Sequence, residues 1–124
     1  MFKLNIYIVE SDPFIATMLI QTLHQLGHKV CGAAISASAA IEGLPEANAD
    51  LVITDIEFND QITGIDLANY LNNYLHIPFI FQSTISAMAI IDKALKTGPA
   101  ALMPKPANKQ KLSLAITNAV GVLA

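Results

Sequence analysis

The segments LVIT (residues 51–54) and FIF (residues 79–81) are short apolar runs without polar alternation. A strand with one wet face alternates; a strand buried on both faces of a parallel sheet does not. That feature calls for a sheet covered by helices on both sides. Further strand candidates lie at residues 4–9, 29–34 and 100–103, and FIF belongs to a run over residues 78–82. Helical spacing fills the intervals. Ile15, Met18, Leu19, Thr22, Leu23 and Leu26 form one stripe, with Asp12 as N-cap, Pro13 at the first helical position and Gly27 as the stop. Ile90, Ile91, Ala94 and Leu95 form a second stripe, closed by Gly98; Leu112, Ala115, Ile116, Ala119, Val120 and Leu123 form a third. Residues 64–74 read as another helix. Residues 36–48 read as the weakest, because Gly43 and Pro45 should end it early.

Strands alternating with helices predict right-handed βαβ units. The expected fold is a doubly wound α/β domain, flavodoxin-like, with a five-stranded parallel sheet and one domain over residues 1–124. A composition of 53% hydrophobic and 14% charged residues supports a sizeable core. No apolar run approaches the roughly 20 residues of a membrane span. The start MFKLNIYIVES lacks a signal-peptide cleavage pattern, so a cytoplasmic location without membrane contact is expected. All seven basic residues are lysines and the net charge is -3. Without arginine, bidentate reading of guanine or phosphate is absent, so direct nucleic-acid binding is not expected. Cys31 is the only cysteine, which excludes an internal disulfide; within KVCGAA it reads as a small buried hydrophobe. His24 and His28 read as surface residues flanking Gly27, and His76 lies in the loop before Pro78.

In such sheets the ligand site lies beyond the carboxyl ends of the strands, where strand order reverses. Those ends carry Glu10, Ser11 and Asp12, then Asp55 and Glu57, then Ser83 and Thr84, then Lys105 between Pro104 and Pro106. Gathered carboxylates repel, and a lysine or a divalent cation relieves them. At about 4 Å a pair of unit charges interacts by about 4 kcal/mol at an effective dielectric near 20. Each residue also has a plain structural reading: Asp55 as a loop cap, Asp12 as an N-cap, Ser83 and Thr84 as turn hydroxyls, Lys105 as a solvated lysine. Their placement together at four strand ends favours a site.

The pieces IYIVESDP, LVITDIEF, TGIDLANYL, IPFIFQST and GPAALMPKP, in this order, resemble the receiver domains of two-component response regulators, over residues 4 to about 123. The resemblance implies that Asp55 is a nucleophile taking a phosphoryl group from a histidine kinase or phosphotransfer protein. It implies that Ser83 hydrogen-bonds that group, that Lys105 pairs with it, and that the Lys105–Pro106 peptide is cis. It further implies a Mg²⁺ site made by Glu10, Asp55 and the backbone carbonyl of Glu57. A downstream partner or weak homodimer would use the face of the fourth helix, fifth strand and fifth helix.

Several residues depart from the family pattern. Ser11 stands where the second acid, a direct magnesium ligand, is usual, and Asp12 falls on the variable position. A register shift would make Asp12 the ligand but would misplace Pro13. A hydroxyl is a poorer ligand than a carboxylate, so Mg²⁺ should bind weakly. Leu102 replaces the usual aromatic of strand five, Thr84 replaces a small residue, and the interval from Asp55 to Gly64 is one residue longer than in the commonest members. The competing expectation is a pseudo-receiver, an interaction module without efficient phosphorylation; any catalysis is confined to the chain's own phosphorylation and dephosphorylation. A flavodoxin-like nucleotide site fits less well, because Glu10 and Asp12 would repel phosphate in the first turn. A haloacid-dehalogenase-type phosphatase wants Asp-x-Asp, of which Asp55-Ile56-Glu57 is a loose echo.

Overall fold

A computed structural model describes residues 3–123, with side chains described through residue 121. Five strands form one parallel sheet: β1 (Asn5–Val9), β2 (Lys29–Ala34), β3 (Leu51–Asp55), β4 (Phe79–Ser83) and β5 (Ala101–Pro104), in the spatial order β2-β1-β3-β4-β5. The connecting helices are α1 (Pro13–Gln25), α2 (Ala37–Gly43), α3 (Gly64–Tyr70), α4 (Met88–Lys96) and α5 (Lys109–Leu123). This is the expected doubly wound architecture, and strand order reverses at β1 and β3.

The pleat sorts the apolar side chains into two cores. Tyr7, Val9, Val52, Phe79 and Phe81 face one side, where they pack with Ala40, Leu67 and Ala94 from α2, α3 and α4. Ile6, Ile8, Ile53, Ile80 and Met103 face the other, against Leu19 and Leu23 of α1 and Leu112 and Ile116 of α5. All five residues of β3 and of β4 are buried, which is why LVIT and FIF do not alternate.

Local signals in the sequence set several boundaries. The Asp12 carboxylate accepts from the amides of Phe14 and Ile15 at 2.9 and 3.4 Å, capping α1 ahead of Pro13. Gly27 and Gly98 sit at φ of 90° and 78°, just beyond α1 and α4. Ser36 caps α2, which ends at Gly43 and is followed by a short 3-10 turn, Leu44–Glu46. Thr63 and Asp66 form a reciprocal capping box on α3. The helix predicted over residues 64–74 is present, but its last turn, Leu71–Leu75, widens to π geometry before His76 turns left-handed at φ 55°.

Three expectations need correction. Two members of the apolar stripes face out: Met18 is 39% exposed, and Leu95 is 51% exposed because α4 is anchored through Ala94 and the half-buried Ile90 instead. Cys31 is half-buried, not buried. The β1–β2 register passes over it: Ile6 pairs with Val30, but Tyr7 pairs with Gly32. A Cβ on Gly32 would lie 2.5 Å from the Tyr7 ring, so glycine is what lets that ring cover the strand. Burial still pushes the Cys31 thiol upward. The third correction is His28. It is buried, and its Nδ1 accepts the Leu4 amide at 3.1 Å, closing the entry to β1. The third apolar stripe holds at Leu112, Ala115, Ile116 and Ala119, which are buried; the Leu123 side chain lies outside the described residues.

Burial lowers the His28 pKa from its ordinary 6.5, so the unfolded chain binds its proton more readily. Stability from this site is present above about pH 6.5 and is lost as pH falls through the lower folded value. We expect urea midpoints to fall between neutral and mildly acidic pH, with a shallower fall in His28→Gln, whose amide oxygen can still accept from Leu4. Equal slopes in the two proteins would refute the assignment.

Candidate functional site

β3 and β4 each run one residue further than the sequence suggested. Asp55 thus closes β3 opposite Gln82, and Ser83 closes β4 opposite Pro104. These ends, with Glu10 just past β1 and Lys105 just past β5, form a polar cluster above the sheet. Glu10 is held in place by its own amide, which donates to the Ala34 carbonyl at 3.0 Å. The Lys105 amide donates to the Ser83 carbonyl at 3.2 Å, and the Lys105–Pro106 peptide is cis.

The Lys105 ammonium bridges two carboxylates. Its Nζ lies 2.7 Å from Glu10 Oε1 and directly against Asp55 Oδ2. The Glu10 side chain is 0% exposed, while those of Lys105 and Asp55 are each 10% exposed. Burial works against the ammonium, but its hydrogen bonds and charge contacts with Asp55 and Glu10 outweigh that and raise its pKa above the ordinary 10.5. The stabilisation is therefore present below about pH 10.5 and is lost only as pH rises through the higher folded value.

The remaining lone pairs are partly committed. Asp55 Oδ1 accepts the Ile56 amide at 2.8 Å. Glu10 Oε2 accepts the Asp12 amide at 2.9 Å, and Glu10 Oε1 accepts from Gln82 Nε2 at 3.2 Å as well as from Lys105. The Ser83 hydroxyl oxygen accepts the Ile85 amide at 2.9 Å, leaving its proton to donate. Gly64 closes the β3–α3 loop onto this edge, its amide donating to the Ile56 carbonyl at 2.7 Å. A Cβ there would lie 2.0 Å from the Asp55 carbonyl oxygen.

Of the site residues expected from sequence, Glu10, Asp55 and Lys105 are in direct contact and Ser83 joins them through the backbone. Ser11, Asp12 and Glu57 are exposed, and the Asp12 carboxylate is engaged in capping α1. Thr84 is exposed, and Leu102 is half-buried against the core beneath α2, α3 and α4. Among the described residues no group of three or more His, Cys, Asp or Glu side chains is arranged to hold a metal. The sequence reading missed Gln82. An amide in a run expected to be buried on both faces needs a partner, and that was the available signal.

Fold and site together define a doubly wound α/β domain with an acid-and-lysine cluster at its switch point. The chain belongs to the response regulator receiver domain family, which it matches over residues 6–117. It is 29% identical over 117 residues to the phyllosphere-induced regulator PhyR of Methylorubrum extorquens, covering 94% of this chain and 43% of that protein. The chain spans less than half the length of the curated relatives it matches. The receiver domain of PhyR from Erythrobacter litoralis superposes with a TM-score of 0.78 at 27% identity, covering 95% of this chain and 90% of that one. The signal receiver domain of a modulated diguanylate cyclase from Desulfovibrio desulfuricans G20 superposes with a TM-score of 0.91 at 23% identity, covering 97% and 95%, a likeness of fold. No helix among the described residues is long and apolar enough to cross a membrane.

Proposed function

We propose that this chain is a phosphoacceptor receiver whose acceptor is Asp55. The observation that carries the reading is the Lys105 ammonium seated on the Asp55 carboxylate at the end of a fully buried strand. A fixed carboxylate whose side chain is 10% exposed, beside an ammonium, suits in-line attack on phosphorus. An Asp55 oxygen forms the new O–P bond. The N–P bond of a phosphohistidine donor breaks, its electron pair stays on the imidazole nitrogen, and that nitrogen takes up a proton. Lys105 then pairs with a phosphoryl oxygen, and the free Ser83 proton donates to another. The donor is a histidine kinase or phosphotransfer protein, and the face of α4, β5 and α5 serves a downstream partner or weak homodimer.

The donor set fits a weak magnesium site. Mg²⁺ is commonly held by one or two carboxylates together with substrate phosphate oxygens. Asp55 and the Glu57 backbone carbonyl would hold it, Glu10 would join them only on releasing its present donors, and the exposed Ser11 hydroxyl stands in place of a second acid because Asp12 is engaged at the helix cap. When bound, the ion offsets charge on the transferred oxygens.

Incubation with acetyl phosphate and Mg²⁺, followed by intact mass, tests the acceptor. Wild type should gain one phosphoryl group and Asp55→Asn none. Label persisting in Asp55→Asn would overturn the assignment. One observation favours a second reading, a pseudo-receiver that acts by protein contact: Glu10 is already fully enclosed by protein donors. A wild type that gains no mass from any donor would decide for it.

A further inference from the structure

Gln82 has no part in the chemistry proposed above, yet it is 2% exposed and its amide is aimed at Glu10. It lines a cleft on the α1 and α5 side with Ile15, Met18, Leu19, Thr22 and Leu112, a mostly apolar set of neighbours. A buried amide among such neighbours is sustained by its hydrogen bond. Each carboxylate oxygen has two lone-pair sites. Both on Glu10 Oε1 are taken, by Lys105 Nζ and Gln82 Nε2, and one on Oε2 is taken by the Asp12 amide. The carboxylate has no solvent-exposed surface through which a hydrated cation could reach it.

We propose that Gln82 is a positioning residue that commits Glu10 to Lys105 and withholds it from a divalent cation. The inference rests on the receiver reading of the site, and it adds a second reason to expect weak metal binding beside the loss of an acid at Ser11. Gln82 and Asp55 are register partners on adjacent strands, so their side chains project from the same face of the sheet, and the buried amide reaches Glu10 beside the site. It stabilises the carboxylate without neutralising it, and so it competes with a cation for the same lone pair.

The test is calorimetric titration of MgCl₂ into the metal-free full chain. Gln82→Met keeps the volume and removes the donor. It should bind Mg²⁺ roughly tenfold more tightly than wild type, the scale of one hydrogen bond to a charged group. Adding Glu10→Gln should cancel that gain, a coupling that general loosening of the strand would not produce. Should Gln82→Met fail to fold, Gln82→Leu decides by the same titration, with the same tenfold gain expected. Unchanged, weaker or unmeasurable Mg²⁺ binding in the folded variant overturns the proposal, as does a gain that survives Glu10→Gln. The titration involves no phosphoryl donor, so its failure is distinct from failure of Asp55 as acceptor.

Discussion

Lys105→Ala should lower the stability of the domain by about 3–5 kcal/mol, the usual cost of removing one partner from a buried ion pair. Glu10 would be left ionised with a side chain 0% exposed, supported only by neutral donors, and Asp55 would face it without a cation between them. Single domains are stable by only about 5–15 kcal/mol, so this is a large share. The loss belongs to the uncompensated charge more than to the pair itself. Glu10→Gln in the same chain should therefore restore most of the stability. Urea unfolding of the two single variants and the double variant measures the coupling. If Lys105→Ala shifts the midpoint no more than an exposed lysine would, the bridge is not the anchor of the site.

Gly64→Ala should be the other severe change, at about 3 kcal/mol. The new methyl would sit 2.0 Å from the Asp55 carbonyl oxygen and 2.9 Å from the Ile56 Cα, and both neighbours are backbone. Neither can swing aside as a side chain tip could, so the loop must lift from β3 and carry Asp55 with it. Gly121→Ala makes a matched control. It lies within α5, and a Cβ there meets nothing within 4 Å. That substitution should stabilise by about 0.5–1 kcal/mol, the helix-propensity difference. Thermal melts of the two variants should move in opposite directions; a neutral Gly64→Ala would contradict the close approach.

Features decided within a few residues were legible in the sequence. Asp12, Pro13 and Gly27 delimit α1 because capping, a fixed φ and a left-handed stop are local physics. LVIT and FIF pointed to a doubly covered sheet because burial on both faces removes alternation. The acidic and basic residues at the strand ends were likewise visible, since strand polarity brings those ends to one edge. What was missed depends on neighbours distant in the chain. His28 is buried because the Leu4 amide, 24 residues away, needs an acceptor. Gln82 acquires its partner 72 residues away. Cys31 escapes full burial through a register irregularity set by the Tyr7 ring against Gly32. Leu95 fits the helical period, but α4 is turned by Ala94 so that Leu95 faces out.

The proposed phosphoryl transfer to Asp55 takes place at a site where Ser11 limits metal binding. Its most direct measurement is intact mass after acetyl phosphate treatment across a Mg²⁺ series, for wild type and Ser11→Asp, with peptide mapping of the modified residue. Ser11→Asp adds a hard, charged oxygen at the missing ligand position. It also adds repulsion toward Glu10 and Asp55, so the metal-free variant should melt lower and gain more on adding Mg²⁺. One phosphoryl group should appear on Asp55 in both proteins, half-maximal at a clearly lower Mg²⁺ concentration in Ser11→Asp. No phosphoryl gain in either protein, a label mapped to another residue, or identical Mg²⁺ dependence in the two would contradict it.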